Sequence, residues 1–311
     1  MRRVLVTGGA GFIGSALVRL LVERGDAVRV YDNLSTGSAE LIEGTGAELV
    51  QGDVRDVEAL ERAAEGHDVV FHLAAGTGVL PSIEDPFADF DLNAGGTLAA
   101  LWAARSVGAG RFVFSSSNAP LGAGAYPASE EKPVAPLSPY GAGKAAGEAY
   151  CSAFHGAYGL DAVAVRFSNA YGPRSAHKGN VIPVFLRRLL AGQELVVYGD
   201  GTQTRDFVFV KDLAAGLLLA STVEGIGGEV FQLASGVETS LNDLVALLAE
   251  VTGREPAVRQ EPARPGEILR NYSLVTKARE RLGYAPATEL RDGLRRTYEW
   301  FSAASAAAVK S

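Results

Sequence analysis

Residues 2–14 read "RRVLVTGGAGFIG": an apolar run ends in a glycine-rich turn, and a helical pattern over 12–25 begins within it. Gly8, Gly11 and Gly14 have the spacing that lets a turn approach a pyrophosphate closely, while the following helix presents its N-terminus to it. The stretch therefore predicts the first strand, turn and helix of a dinucleotide-binding sheet.

Further apolar runs alternate with helical stretches, as in a parallel sheet covered on both faces. The predicted strands are 27–32, 47–54, 68–75, 111–117 and 161–169, and the predicted helices are 56–65, 85–107 and 140–158. This order predicts an α/β fold, a doubly wound parallel Rossmann-type sheet with a smaller C-terminal substrate-binding lobe. We expect the NAD-binding domain over 1–169, with a return to it around 205–235, and the lobe over 170–311. Within the lobe, 195–210 predicts two strands around a turn, and 254–267 an extended segment.

The composition narrows the class of protein. The 311 residues are 47% hydrophobic and 21% charged, and the net charge of -7 argues against nucleic acid as a partner. No apolar run reaches the roughly 18 residues of a membrane span, and no signal-peptide pattern opens the chain. One cysteine, Cys151, and scattered histidines predict neither a disulfide nor a metal site. We therefore expect a cytoplasmic protein without a membrane partner or a metal.

Two acidic residues follow predicted strands on the cofactor side. Asp32 ends the second strand, where a carboxylate accepts hydrogen bonds from ribose hydroxyls and repels a 2′-phosphate. This favours NAD over NADP, although Asp32 can also cap the turn that follows it. Asp53 can meet the adenine or cap the helix predicted at 56, and the sequence leaves both open.

The stretch "SPYGAGK" (138–144) predicts the catalytic group. Tyr140 and Lys144 are four residues apart and share one helix face. A nearby ammonium and a cationic nicotinamide favour the phenolate, which can then take a proton from a substrate hydroxyl. A serine at the end of "RFVFSSS" (111–117) can hydrogen-bond the same substrate oxygen. Of the three serines, we expect Ser115 beside the nicotinamide, Ser116 in packing or backbone bonding, and Ser117 facing substrate.

The motifs "TGGAGFIG", "DNLSTG", "GDVRD", "HLAA", "DLNAGGTL", "FSSS", "SPYGAGK", "RFSNAYGP", "GDGTQTRDFVFVKD" and "ARPGE" cover nearly the whole chain. With them the chain resembles the extended short-chain dehydrogenases/reductases, specifically the NAD-dependent nucleotide-sugar epimerase/dehydratase family. The resemblance implies Ser117, Tyr140 and Lys144 as the catalytic residues. It implies an NAD pocket that also includes Gly8, Gly11, Phe12, Ile13, Gly14, Asp32, Asn33, Asp53, Val54, Leu73, Ala74, Ala75, Asn93 and Ser115. The implied substrate residues, besides Ser117 and Tyr140, are Thr77, Asn169, Asn180, Val181, Tyr198, Arg205, Arg264 and Asn271.

The family resemblance also bears on the reaction. Dehydratases of the 4,6 type carry an Asp-Glu pair after the catalytic hydroxyl residue, where this chain has Asn118 and Ala119. UDP-glucuronate decarboxylases carry a Glu in the same loop. The remaining route is 4-epimerisation of a UDP-hexose, UDP-glucose or UDP-galactose, through a 4-keto sugar with NAD recycled. Alternatives are a 4-epimerase of UDP-glucuronate or UDP-N-acetylhexosamine, a nucleotide-sugar reductase, and a non-catalytic NAD-binding sensor or scaffold.

Three further expectations follow from the resemblance. Helices 85–107 and 140–158 imply a homodimer. Arg174, His177 and Lys178 lie in the loop where a uronic acid would need a cation. Leu121 replaces the aromatic residue that the family usually has after its serine loop, and the sequence offers no reason for it.

Overall fold

The computed structural model describes residues 1–124, 126–263 and 269–308. Residues 307 and 308 are described by their backbone alone. Strands and helices alternate through the first half of the chain, as predicted. The strands are β1 (Arg3–Thr7), β2 (Ala27–Asp32), β3 (Glu48–Gln51), β4 (Val69–His72), β5 (Arg111–Ser117), β6 (Ala162–Phe167), β7 (Asn169–Tyr171), β8 (Leu195–Tyr198), β9 (Thr204–Arg205), β10 (Phe207–Phe209), β11 (Val230–Leu233), β12 (Thr239–Ser240) and β13 (Val258–Glu261). The helices are α1 (Phe12–Glu23), α2 (Val57–Ala64), α3 (Val79–Glu84), α4 (Pro86–Phe90), α5 (Gly96–Ser106), α6 (Pro139–Tyr158), α7 (Val181–Leu190), α8 (Val210–Ala220), α9 (Leu241–Thr252), α10 (Thr276–Leu282) and α11 (Leu290–Ala308).

Seven strands form one parallel sheet in the order β11-β6-β5-β4-β1-β2-β3. The order reverses between β1 and β4, so the carboxyl ends of these two strands border the crevice in which such sheets bind their ligands. The predicted doubly wound sheet is confirmed. Strand β11 brings the chain back to the edge of this sheet beside β6, whereas the division into an NAD-binding and a substrate-binding lobe stays a prediction.

Two apolar clusters cover the two faces of the sheet, and a third fills the C-terminal part. One face packs against α1 and α8, with Leu17, Leu21 and Leu217 fully buried. The other packs against α2, α5 and α6, with Phe112 and Phe114 fully buried. A side chain of this size contributes roughly 1.5–3 kcal/mol when it leaves water, so these clusters fix the sheet on which the cleft is built.

The helix predicted over 85–107 is wrong as a single element. Asp85 caps α4 by accepting a hydrogen bond from the backbone of Ala88, and Pro86 occupies the first turn. A π-helical segment, Asp91–Gly95, then separates α4 from α5. The extra residue in this turn changes which side chains face α6, the neighbouring helix.

The segment over 195–210 also differs from its prediction. Strands β8 and β10 were predicted as two strands around a turn, and they do not pair with each other: β8 pairs in parallel with β13, and β10 with β7. The short strand β9 lies between them and pairs with β12. The partners come from far along the chain, so local pattern could not identify them. The segment predicted as extended over 254–267 contributes β13, and its residues 264–267 lie outside the described residues.

In the part of the chain that the structure describes, no helix combines the length and apolarity needed to cross a membrane.

Candidate active site

A cleft opens at the carboxyl ends of the central strands, where the fold predicts a ligand. It runs from the glycine turn after β1 to the N-terminal turns of α6. Its lining comprises Gly8, Gly11, Phe12, Ile13, Gly14, Tyr31, Asp32, Asn33, Ser35, Thr36, Gly52, Val54, Leu73, Ala74, Ala75, Thr77, Leu92, Ser115, Ser116, Tyr140, Lys144, Phe167 and Lys178. All predicted cofactor residues except Asp53 and Asn93 belong to this lining, so the structure brings the predicted set together.

The glycine turn leaves no room for side chains on its inner side. Gly8 has a φ of +69°, and a Cβ there would lie 2.5 Å from the backbone nitrogen of Ala74. A Cβ on Gly14 would collide with the carbonyl oxygen of Gly8. Gly11 is the N-cap residue of α1, and no side-chain hydrogen bond caps this helix. The cradle therefore presents backbone N–H groups and the helix dipole to the cleft, as a pyrophosphate requires.

The two acidic residues of the cofactor side have separate partners. The Asp32 carboxylate accepts hydrogen bonds from the backbone nitrogens of Ala10 (3.0 Å) and Leu34 (2.9 Å), so it caps the turn and also lines the cleft. Asp53 accepts hydrogen bonds from Asn33 and Arg55, and the guanidinium holds the pKa of this carboxyl well below its usual range. Asp53 does not cap α2, because Asp56 does so.

The three serines at the end of β5 have three different environments. The carbonyl oxygen of Ser115 accepts a hydrogen bond from Lys144 Nζ at 2.9 Å. Ser116 Oγ donates to the buried Glu148 at 2.5 Å, so Ser116 bonds a side chain rather than the backbone. Ser117 Oγ accepts from the backbone nitrogen of Ala119 at 2.9 Å. The hydroxyl of Ser117 retains a hydrogen with which it can donate toward the cleft.

Tyr140 and Lys144 lie on the first turns of α6, which Ser138 caps by accepting a hydrogen bond from the backbone of Gly141. Lys144 Nζ lies 5.9 Å from the centroid of the Tyr140 ring, and only 2% of Lys144 is exposed. Burial lowers the pKa of Lys144 to about 8, against the opposing effect of Asp89 and Glu148.

The phenol of Tyr140 responds to the same burial. Desolvation raises its pKa, a hydrogen bond with Ser117 lowers it, and Asp89 raises it further. The lowering of this pKa that the sequence predicted is therefore not a property of the protein alone. A positive charge brought into the cleft by a ligand opposes the effect of burial.

A buried ion pair ties α6 to the sheet. Glu148 and Arg166 are 6% and 3% exposed, and their side chains make two hydrogen bonds of 2.8 and 2.7 Å. Because Glu148 also accepts the hydroxyl of Ser116, one carboxylate joins α6, β5 and β6. This contact fixes the helix that carries Tyr140 and Lys144 against the strand that ends in Ser117.

The predicted substrate residues are spread over several segments, and among those that the structure describes only Thr77 and Tyr140 are part of the cleft lining. Asn169 donates a hydrogen bond to the carbonyl of Asp206, and Asn180 donates to that of Ala170. Tyr198 ends β8, Arg205 ends β9 and Val181 opens α7. The side-chain oxygens of Asn180 and Asn271 are buried and accept no hydrogen bond from any described residue. Arg264 lies outside the described residues.

The loop after the serines is closed by packing. Asn118 donates hydrogen bonds to Ser273 (2.9 Å) and Ser168 (3.5 Å), and the turn Ala119–Leu121 follows it. Leu121 is 1% exposed, so its side chain belongs to the interior. The burial accounts for an apolar residue at this position, and nothing in the structure explains why it is not aromatic.

Two residues without a role in the sequence predictions, Asp89 and Glu148, approach the catalytic pair, as does Lys178, which was predicted only as a candidate cation for a uronic acid. Asp89 packs beside α6, Glu148 anchors it, and Lys178 lines the cleft with Lys144. The spacing of Lys144 and Glu148 along the helix was a usable signal. Asp89 gave the corresponding signal with Asn93, four residues further on.

The sheet, the glycine cradle and the Tyr-Lys pair define an α/β enzyme of the dinucleotide-dependent, short-chain dehydrogenase/reductase type. The model of the NAD-dependent epimerase/dehydratase family matches residues 4–234, and the chain belongs to that family. The family resemblance drawn from the motifs is confirmed, and the cofactor is NAD.

Known relatives differ in the reaction that they carry out. The chain is 39% identical to a UDP-glucose 4-epimerase of Mycolicibacterium smegmatis, over 96% of this chain and 98% of the relative. It is 38% identical to a dTDP-glucose 4,6-dehydratase of Streptomyces niveus, over 96% and 92%. A crystal structure of the Thermotoga maritima UDP-glucose 4-epimerase with UDP-glucose superposes with a TM-score of 0.92 at 37% identity, covering 97% of this chain and 99% of that one. The chain is therefore similar to nucleotide-sugar enzymes of more than one kind.

Proposed function

We propose that this enzyme is a 4-epimerase of a UDP-hexose, with UDP-glucose and UDP-galactose as its substrate pair. One observation carries the proposal: among the described residues that line the cleft, the only carboxylate is Asp32. Asp32 belongs to the adenosine end, whereas Tyr140 and Lys144 belong to the other. Elimination of water from a sugar needs an acid and a base beside it, and Asn118 and Ala119 offer neither.

The catalytic pair suits a reversible oxidation at C4. When bound, NAD accepts a hydride from C4 and returns it. The Tyr140 phenolate takes the proton of the 4-hydroxyl, and the Ser117 hydroxyl hydrogen-bonds the same oxygen as it becomes a ketone. Lys144 holds a positive charge near the phenolate. Tyr140 then returns the proton to the same oxygen, and the 4-epimer would result if the ketone presents its opposite face to the cofactor.

Glycines and small side chains form the cradle for the pyrophosphate of NAD. Backbone N–H groups at Phe12 and Ile13 would hold this group, and Asp32 would hold the adenosine ribose. A Cβ at Gly8 or Gly14 would collide with the backbone of Ala74 or Gly8, so only glycine permits the tight turn that supports this assignment. We further propose that residues 170–311 hold the nucleotide, with Arg205 and Arg264 on the diphosphate.

Turnover with three substrates tests the proposal. The purified protein is incubated separately with UDP-glucose, UDP-glucuronate and UDP-N-acetylglucosamine, and the 4-epimer of each is measured by NMR. We expect UDP-galactose from the first. Formation of no epimer from any of them, by protein that retains NAD, contradicts the proposal. Stoichiometric consumption of added NADH with a keto sugar would instead indicate a reductase.

One observation favours UDP-glucuronate as a second candidate substrate. Lys178 lines the cleft, burial lowers the pKa of its ammonium, and this group makes no ion pair with any residue that the structure describes. A sugar carboxylate would pair with it. A Lys178→Met variant that loses activity on UDP-glucuronate while keeping it on UDP-glucose would support this substrate.

We also propose a homodimer, which the outer surface of helices α4, α5 and α6 supports. Phe87, Phe90, Trp102 and Tyr158 are 82%, 61%, 41% and 50% exposed, and they lie on α4, α5 and α6. A surface with this many exposed large apolar side chains is typical of a protein interface. Sedimentation of the holoenzyme at micromolar concentration tests for the dimer, and a monomer would contradict it. The cytoplasmic location also stays a prediction.

A further inference from the structure

Asp89 is an acidic residue in an unusual position. It lies in α4, where its neighbours Phe87 and Phe90 are 82% and 61% exposed, yet Asp89 itself is 9% exposed. Its Oδ2 atom is buried and makes no hydrogen bond with a described residue. A buried carboxylate costs free energy unless it is paired. The groups around Asp89 should therefore include ones that stabilise its negative charge.

The π-helical segment after α4 directs Asn93 back onto Asp89. The side-chain amide of Asn93 donates to Asp89 Oδ1 (2.8 Å) and to the carbonyl oxygen of Gly76 (3.1 Å). Thr97 donates to the backbone carbonyl of Asn93 at 2.6 Å and closes the widened turn. Asn93 is 1% exposed, and its orientation is fixed by the carboxylate, since both amide hydrogens are used. The residue predicted to contact NAD is therefore held by Asp89.

The same carboxylate faces the catalytic helix. A Cβ placed on Gly143 would lie 3.0 Å from Cβ of Asn93 and 3.5 Å from Asp89 Oδ2. Only glycine lets the two helices approach this closely. Lys144 follows Gly143. The negative charge of the Asp89 carboxylate, across this contact, raises the pKa of the Lys144 ammonium.

Asp89 differs from the other titratable groups around Lys144 in its charge and in its pairing. Glu148 also raises the pKa of Lys144, but its carboxylate is already paired with Arg166. His72 is fully buried, and its pKa is lowered to about 3 by burial and by Lys144, so it is neutral. Lys178 lines the same cleft and adds positive charge. Asp89 is thus the carboxylate without an ion-pair partner among the described groups facing Lys144.

We propose that Asp89 is a positioning residue for catalysis, which orients Asn93 and supplies the counter-charge of the Lys144 ammonium. An ammonium that is 2% exposed and bonded to one carbonyl oxygen depends on a nearby negative charge to keep its proton at neutral pH. Through Lys144 and through its own field, Asp89 sets the pH range in which Tyr140 works. This proposal rests on the proposed epimerase function for its kinetic test.

The Asp89→Asn variant tests the proposal through the pH profile of kcat. Activity rises with pH as Tyr140 loses its proton and falls as Lys144 loses its own. Asp89 raises the pKa of both groups, so its neutralisation moves both limbs of the profile to lower pH. We expect a displacement of about one pH unit and, at pH 8, a loss of about five-fold in kcat. KM is expected to change little.

Asp91→Asn is the matched control, because it removes an equal charge two residues away from an exposed side chain. Its profile should coincide with that of the wild type. An Asp89→Asn profile that also coincides with the wild type, in protein with unchanged thermal unfolding, would overturn the proposal. If Asp89→Asn does not fold, Asp89→Glu retains the charge and should keep the wild-type pH range with a lower kcat. A displaced range in Asp89→Glu would contradict the assignment.

A substrate-free measurement separates this proposal from the function itself. Protein labelled with ¹³C at the lysine Cε atoms is titrated by NMR, with the Lys144 signal assigned by its loss in Lys144→Met. The Lys144 pKa, about 8 in the wild type, should fall in Asp89→Asn by about one unit. An inactive wild type with this displacement would refute only the epimerase function. An unchanged Lys144 titration would refute the role of Asp89.

Discussion

The cofactor half of the cleft takes most of its lining from the first 117 residues, whereas the predicted nucleotide half draws on segments scattered between Asn169 and Asn271. The first half is built on one seven-stranded parallel sheet, with each loop following its own strand. The second half rests on three two-stranded pairings of two to four residues each. The cofactor half is therefore fixed by local backbone geometry, and the predicted nucleotide half by pairing between strands that are far apart in the sequence. A change in each half should therefore have a different consequence.

The largest effect is expected at Tyr140, where the two halves meet. Tyr140→Phe removes the hydroxyl that transfers the proton and leaves the ring in place. We expect kcat to fall by about 10³-fold while NAD stays bound, because general acid–base catalysis contributes about this much. Steady-state kinetics on UDP-glucose and the absorbance of bound cofactor measure the two quantities. Tyr158→Phe on the same helix, 50% exposed, is the control and should retain full activity.

A smaller but selective effect is expected in the cofactor half. Gly14→Ala places a methyl group against the Gly8 carbonyl and should weaken NAD binding about 100-fold, since the cradle cannot widen without moving β1. Calorimetric titration with NAD measures this change. Gly156→Ala is the matched control: it lies in α6 with open space around it, and it should bind NAD normally and unfold at the same or a higher temperature. Normal NAD affinity in Gly14→Ala would show that the cradle is not the pyrophosphate site.

The smallest effect is expected in the nucleotide half. Arg205→Ala should raise KM for UDP-glucose about 10-fold with little change in kcat, because a charge-assisted hydrogen bond to the diphosphate is lost from ground state and transition state alike. NAD affinity should stay at the wild-type value, in contrast to Gly14→Ala. Arg295→Ala, at a guanidinium 55% exposed on α11, provides the control. A loss of NAD affinity in Arg205→Ala would mean that the two halves are not separate.

The same contrast explains how much the sequence could predict. Two local patterns were enough to predict the sheet, the cradle and the catalytic helix. They are the spacing of Gly8, Gly11 and Gly14 and the spacing of Tyr140 and Lys144. The residue-level roles assigned to them remain predictions until they are measured. The pairing of β8 with β13 joins segments about sixty residues apart, and no local pattern reports it.

The interruption of the helix predicted over 85–107 shows the same limit. Its apolar positions continue through the π-helical segment, which hides the extra residue. The consequence, an Asp89 carboxylate turned toward the helix of Lys144, depends on the approach of two helices at Gly143. Burial of Lys144 and Tyr140, which reverses the expected direction of the tyrosine pKa, likewise arises only from packing.

The most direct test of the central claim follows the hydrogen at C4. UDP-glucose carrying deuterium at C4 is mixed with an equal amount of UDP-[¹³C₆]glucose and incubated with the holoenzyme, and the products are analysed by mass spectrometry. If one site removes and returns the same hydrogen, the UDP-galactose formed keeps deuterium at C4, with no transfer to the ¹³C-labelled molecules and none lost to water. Absence of UDP-galactose, or deuterium lost to solvent or exchanged between molecules, would contradict the proposed 4-epimerisation.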